Sequence, residues 1–361
     1  MIDTFKDPQL VKHLAEQIVL VSKNMELITI MHVCGTHEHE ISRYALRQLL
    51  PPQIDLIAGP GCPVCITPAS MIVAANKLAM MDSKHLLVTY GDVMRIPVPG
   101  GSLSDTRSQG ADIRIVYSML DAIKLAHENP DREVIFFSVG FETTAAPVAS
   151  LLLGVLPNNF SIYPCHRYVP TALQALVKED PIMRINGFLL PGHAAIITGG
   201  KVYEFLPHEY GRASAIAGFE PSDILNGIWS IVKQIKEQKT MVDNCYKRAV
   251  RFTGNPKAQY YLNQVFKKDI AAWRGIGDLP DTGFELKSNF DHINAKKRFQ
   301  IKEDNVEDVM PGCSCPQIML GHLKPSSCPL FSISCTPITP KGPCMVSQEG
   351  TCRAHYVFKE I

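Results

Sequence analysis

The 361-residue chain has no apolar run that reaches the ~20 residues a bilayer crossing needs. The longest, near 71–80 and 145–156, stop well short. Its first residues, MIDTFKDPQLVKHLAEQ, lack the basic start and apolar stretch of a secretory signal and read as a short amphipathic helix. A cytoplasmic protein is expected. Charge of one sign does not dominate: 36 Lys and Arg stand against 35 Asp and Glu. That balance removes the electrostatic case for nucleic acid or a membrane surface. Neither G-x-x-x-x-G-K nor G-x-G-x-x-G occurs, so no phosphate loop or dinucleotide fingerprint is present. A nucleophile elbow and a defined carboxylate pair are missing too, which leaves serine-hydrolase and glycosidase chemistry without support.

What the chain has in excess is cysteine. Eleven cysteines, an odd number without a secretion signal, argue against an extracellular disulfide framework and for metal or redox chemistry. Apolar residues at 46% are enough for a large core. Buried parallel strands are expected at 26–33, 54–59, 85–92 and 133–140, with further ones at 160–165 and 187–192. Helices are expected between them at 40–50, 68–81, 113–129, 143–154 and 170–180, then at 221–238 with Ser222 as N-cap or first-turn residue. The alternation predicts an α/β fold with two similar parallel-sheet domains, assigned to residues 1–122 and 123–246. A long helix over 255–273 should open the last part, 247–361, where Gly, Pro, Asp and Cys take over as a loop-rich module.

Three segments concentrate the thiols. In MHVCGTHEHE, Cys34 should leave a strand at its C-terminal edge, where open α/β sheets place ligands, with His37 and Glu38 facing the same crevice. The start of the next helix should lower the Cys34 pKa. GPGCPVC puts Cys62 and Cys65 in a C-x-x-C, suited to a dithiol/disulfide pair or to two ligands of one metal. The third segment holds Cys313, Cys315, Cys328, Cys335, Cys344 and Cys352. Four thiolates can hold a [4Fe–4S] cluster; zinc and thiol redox are the competing readings. The paired C-x₂-C form of a zinc ribbon is absent, and six cysteines exceed one tetrahedral site. Cys245 reads as core, and Cys165 ends a strand beside His166.

Three further loops follow strands. Glu142, with Thr143 and Thr144, could offer a carboxylate, hydroxyls and helix N–H groups to a ligand, although an N-cap accounts for a threonine alone. His193 in PGHAAIITG is a further site candidate, against the commoner structural histidine. Asp92 and Arg95 in GDVMRIPVPGG suggest a buried or interface ion pair.

CGTHE at 34–38, GPGCPVC at 59–65, GFETTAAP at 140–147, PGH at 191–193 and the terminal cysteine array together resemble the HypD family of [NiFe]-hydrogenase maturation factors. The resemblance spans nearly the whole chain. It implies two α/β domains plus a [4Fe–4S] module, and an assembly scaffold with redox activity rather than a conventional turnover enzyme. It implies a small partner, HypC, with HypE delivering cyanide and the hydrogenase large subunit reached through HypC. Carried onto this chain, Cys34 would hold the Fe(CN)₂CO iron, with His37 and Glu38 orienting it or exchanging protons. Cys62 and Cys65 would be a redox dithiol or further iron ligands. By likeness to ferredoxin–thioredoxin reductase, Cys313, Cys328, Cys335 and Cys352 would hold the cluster, beside a dithiol of Cys315 and Cys344. The alternatives are a stand-alone iron–sulfur disulfide reductase and a zinc-stabilised binding module.

Overall fold

The computed structural model describes residues 3–179 and 184–359. Its strands, in chain order, are β1 (Ile28–His32), β2 (Ile54–Ala58), β3 (His85–Thr89), β4 (Ile113–Ile115), β5 (Glu133–Gly140), β6 (Phe160–His166), β7 (Gly187–Pro191), β8 (Ala213–Ala217), β9 (Val242–Asn244), β10 (Phe266–Trp273) and β11 (Gly277–Leu286). Two parallel sheets carry the α/β fold. One has the order β2-β1-β7-β8-β9 and the other β4-β3-β5-β6, while β10 and β11 form an antiparallel hairpin. Both sheets are covered on two faces, which is why their strands read as continuous apolar runs. Along β5, Val134 and Phe136 enter one core and Ile135, Phe137 and Val139 the other. Each such buried side chain contributes roughly 1.5–3 kcal/mol.

The sheets do not follow the expected ranges 1–122 and 123–246. The first takes β1 and β2 from the start of the chain and β7 to β9 from beyond residue 186, with the second sheet inserted between. Hydrogen bonding decides this: β1 pairs with β7, setting Ile30 against Gly187 and His32 against Leu189. The position 122/123 falls inside the helix Met119–Glu128. β8 and β9 escape a sequence reading because one is small residues (ASAIA) and the other only VDN.

Three expected helices differ. Residues 113–115 form edge strand β4, and the helix starts at Met119, where Ser118 and Asp121 build a reciprocal cap. The expected helix at 40–50 instead runs Gly35–Arg43, directly behind Cys34, and Ala45 at φ +50° breaks it before the short turn Leu46–Leu49. The long helix expected over 255–273 ends at Val265, because Phe266–Trp273 pairs with β11 and the Trp273 indole N–H donates to Thr282 Oγ1 at 2.9 Å. The helix Val169–Glu179 covers the expected 170–180 up to residue 179; residue 180 lies outside the described residues. Ser222 is a first-turn residue behind Glu220 and donates to the Phe5 carbonyl.

From residue 309 the chain is loop-rich, with helices of only 4 to 8 residues: Cys315–Met319, Pro343–Val346 and Thr351–Phe358. Among the described residues no helix is long and apolar enough to cross a membrane.

Candidate functional site

In the first sheet the strand order reverses between β1 and β7, so loops leaving those strands diverge and open a crevice. Cys34 stands there as the N-terminal flanking residue of the helix Gly35–Arg43. The Gly35 N–H donates to the Gly61 carbonyl at 2.9 Å, tying the Cys34 turn to the GPGCPVC loop. A Cβ at Gly61 would sit 2.3 Å from the Cys34 nitrogen, so only glycine allows the two loops to approach this closely. Cys34, Cys62, Cys65 and Cys344 line one small cleft, together with His32, Glu38, Met319 and Glu349. The Sγ atoms of Cys62 and Cys65 are 2.8 Å apart.

The Cys34 thiol is not acidified as its helix position led us to expect. Burial, then the Glu349 carboxylate, pushes it up to about 12, against the opposing N–H groups of His37 and Thr36. It is therefore a neutral thiol until something displaces its proton. Glu349 is itself held by Thr36 Oγ1, which donates to its Oε1 at 2.8 Å.

Glu38 anchors a buried polar network. It accepts from Ser42 Oγ at 3.0 Å and from Arg47 Nη1 and Nη2 at 3.0 and 2.9 Å. His32 Nε2 lies 2.7 Å away and His355 Nε2 3.3 Å. Burial pushes the carboxyl up, but Arg47 and His32 hold it well below its ordinary value. Glu38 is thus a fixed anion joining β1, its own helix and the C-terminal helix that carries Cys352.

His37 Nε2 lies 2.9 Å from the Gly218 carbonyl. A carbonyl only accepts, so Nε2 carries the proton and Nδ1 keeps a lone pair, which has no partner among the described residues. Burial, then the neighbouring His32, lowers the His37 pKa to about 3. Its ring meets Phe219 at 4.9 Å, and the exposed His193 stacks on Phe219 at 3.8 Å. The two histidine candidates thus meet across a phenylalanine that carried no sequence signal.

Glu142, Thr143 and Thr144 stand elsewhere, at the end of β5, where the second sheet reverses order. Phe141, not a threonine, flanks that helix, and Thr143 is exposed. Glu142 is buried; its Oε1 accepts from the Val169 N–H at 2.8 Å and Oε2 has no partner among the described residues. Burial raises its pKa to about 7. Asp92 and Arg95 form no ion pair with each other among the described residues. Instead Asp92 accepts from Ser347 Oγ, and Arg95 Nη2 donates to the Pro337 carbonyl at 2.7 Å, so both dock the C-terminal module. Cys165 is buried beside Thr67, and Cys245 is half-buried beside Asp243.

In that module Cys313, Cys315, Cys328, Cys335 and Cys352 line a second cavity, closed by Ile318, Leu330, Phe331 and Met345. A Cβ at Gly342 would come within 2.7 Å of Cys313 Sγ and 3.0 Å of Cys315 Sγ, so a glycine leaves the sulfurs room. The Lys341 N–H donates to Cys335 Sγ at 3.3 Å. Arg274 lies buried beside Cys313, Cys315 and Cys344, with its Nη1 unpartnered among the described residues. No three His, Cys, Asp or Glu side chains among the described residues converge as a single-ion site. Thiols around an apolar cavity, under a buried guanidinium, suit a group several atoms across, and a [4Fe–4S] cluster is such a group.

Cys344 links the two cavities. Its thiol shares the cleft with Cys65 on one side and feels the thiols of Cys315 and Cys352 on the other. Sequence reasoning missed Glu349, Arg274, His355, His32, Arg47 and Phe219. His32, two residues before Cys34, and Glu349 and His355, three residues before and after Cys352, had neighbouring thiols that could have flagged them, whereas Arg274, Arg47 and Phe219 had none.

The family model HypD, described as "Hydrogenase formation hypA family", matches residues 9–359. The hydrogenase maturation factor HypD2 of Bradyrhizobium diazoefficiens is 41% identical over 366 residues, covering 99% of this chain and 96% of that protein. The hydrogenase maturation factor HypD of Cupriavidus necator is 39% identical over 374 residues, with 100% and 98% covered. That of Rhizobium leguminosarum bv. viciae is 40% identical over 367 residues, with 99% and 95% covered.

Proposed function

The chain belongs to the HypD family of hydrogenase maturation factors, and from that membership we propose that it is the scaffold on which, with a HypC-type partner, the Fe(CN)₂CO iron of a [NiFe]-hydrogenase is assembled. The observation that carries this reading is the unbroken file of thiols from Cys62 and Cys65 through Cys344 to Cys315 and Cys352, with Cys34 on the same cleft. A stand-alone disulfide reductase is not favoured, because it gives Cys34 and the Glu38 network no task.

Cys34 holds the iron substrate as its thiolate. Cyanide and carbon monoxide make that iron low-spin and soft, which suits a sulfur ligand. Metal binding displaces the thiol proton. Glu349, whose carboxylate field reaches Cys34, receives it; burial keeps this carboxyl above its ordinary value. Glu38 fixes the helix behind Cys34, and His37, kept neutral by burial, offers its Nδ1 lone pair as a hydrogen-bond acceptor near the same turn and not as a base.

Cys313, Cys328, Cys335 and Cys352 hold the cluster, which when bound supplies one-electron chemistry. The remaining pair, Cys315 and Cys344, exchanges with Cys62–Cys65. The Cys344 thiolate attacks Cys65 of a Cys62–Cys65 disulfide and releases Cys62 as thiolate, and Cys315 then resolves the mixed disulfide. Two electrons and two protons pass from one pair to the other, leaving Cys62 and Cys65 as thiols beside the iron. HypE supplies cyanide, and the finished iron leaves through HypC to the hydrogenase large subunit. The test is cyanide transfer from HypE to the HypC-bound protein. Cys62→Ala and Cys344→Ser should each slow it strongly; wild-type rates in both would overturn the exchange.

A further inference from the structure

From Val309 to Gln348 the chain carries no aspartate or glutamate, although acids and bases balance over the whole protein. The side chains in this stretch that are cationic at neutral pH are Lys324 and Lys341. Lys324 pairs with Asp55, whereas Lys341 is exposed. Within the same stretch, Ile333 is 80% and Ile338 85% exposed, one on either side of Cys335.

The loop that presents them is held in place. The Cys335 N–H donates to the Leu330 carbonyl at 2.8 Å and the Ser332 N–H to the Cys335 carbonyl at 3.1 Å. The Thr339 N–H donates to Thr336 Oγ1 at 3.1 Å. Arg95, reaching over from the β3 side, grips the Pro337 carbonyl and adds a second exposed cation. Isolated exposed aliphatics are ordinary on protein surfaces. Two on one fixed, acid-free loop, astride a cysteine that closes the thiol-lined cavity, form a patch with a definite chemistry: apolar centre, cationic rim.

We propose that this patch, formed by Ile333, Ile338, Lys341 and Arg95, is the docking face for a small acidic one-electron carrier protein. The proposal rests on Cys313, Cys328, Cys335 and Cys352 holding a cluster. Redox encounters of this kind use small faces, below about 1,200 Å², and complementary charge steers them. Electron tunnelling falls off steeply with distance, so a carrier gains most by seating where one short loop separates it from the sulfurs. One electron leaves the reduced carrier and one enters the cysteine-held group; no bond forms or breaks.

The test uses anaerobically purified holoprotein and an acidic plant-type [2Fe–2S] ferredoxin as probe. Binding of the oxidised ferredoxin is measured by calorimetry at low and high salt, and bleaching of the visible chromophore is followed with reduced ferredoxin and, separately, with dithionite. The Ile333→Ser/Ile338→Ser double variant and Lys341→Glu should each weaken binding about tenfold or more. Wild-type affinity should fall as salt rises. Dithionite, which needs no docking face, should bleach all three proteins alike, and so reports that the variants are intact. Unchanged affinity in both variants, or no binding by wild type that dithionite still bleaches, would overturn the docking face alone. Colourless protein without iron would remove the cluster assignment and the docking face with it.

Discussion

Cys34, Cys62 and Cys65 sit on loops leaving the ends of buried parallel strands, whereas the six C-terminal cysteines sit on helices of 4 to 8 residues and the turns between them. The first group is placed by sheet register and by a glycine that lets two loops touch; its geometry is a product of the fold. The second group packs into a core shared with the rest of the chain, beside Ile318, Met319, Leu330, Phe331 and Met345, but its own helices are short and contribute little without tertiary support. On the proposed assignment, a cluster held by Cys313, Cys328, Cys335 and Cys352 would tie these short elements together. Polar chemistry divides the same way: ionised Glu38 organises the first group, while the second has the buried Arg274 and no acid between 309 and 348.

The largest effect should come from stripping the metal. Iron removed with a chelator should open the segment 309–350 to limited proteolysis while both parallel sheets resist, as read by mass spectrometry of the fragments. An apoprotein as resistant as the holoprotein would mean that both cysteine groups are placed by the fold alone.

Next in size is Glu38→Ala, which takes the carboxylate from the buried His32 and the half-buried Arg47 and severs the tie to His355. A loss of about 3–5 kcal/mol is expected in urea unfolding. Cys245→Ser, on a half-buried thiol outside both groups, should stay within about 0.5 kcal/mol. Equal effects would deny the Glu38 network its part in joining the two regions.

Smaller, and dependent on pH, is the contribution of Glu142 at the second sheet's reversal. Its folded pKa of about 7 lies above the ordinary 4.5, so the folded state binds the proton more tightly. The stabilisation is fully present below about 4.5 and is lost as pH rises through 7. His166 has the opposite sign: burial, then Arg167, lowers it to about 3, so its contribution is lost as pH falls from about 6.5 toward 3. Glu142→Gln should remove about 1–3 kcal/mol of the stability decline between pH 5 and 8. A wild-type slope in the variant would place the titration elsewhere.

The α/β class and the post-strand position of every motif could be read from the sequence, because strand ends and glycines mark themselves locally. The interleaving of the sheets could not, since the β1–β7 pairing joins residues more than 150 apart and leaves no local trace. The helix reading failed at 266–273 for a related reason: Phe266–Trp273 is amphipathic enough for either state, and only β11 decides. At the site, the thiols announced themselves by residue type. Glu349, Arg274 and His355 did not, because their role comes from approaching the thiol sites through tertiary packing. The Cys34 thiol shows the limit most sharply: a helix N-terminus was visible in the sequence, but the burial that overrides it was not.

The central claim is that Cys34, in the loop after β1, holds the iron under construction, and that the C-terminal cysteines serve it. The infrared spectrum of the protein co-purified with its HypC-type partner tests this most directly. Cyanide and carbon monoxide stretching bands should be present in wild type and vanish in Cys34→Ala, while the iron–sulfur absorbance of that variant stays intact. Bands that persist in Cys34→Ala would contradict the account.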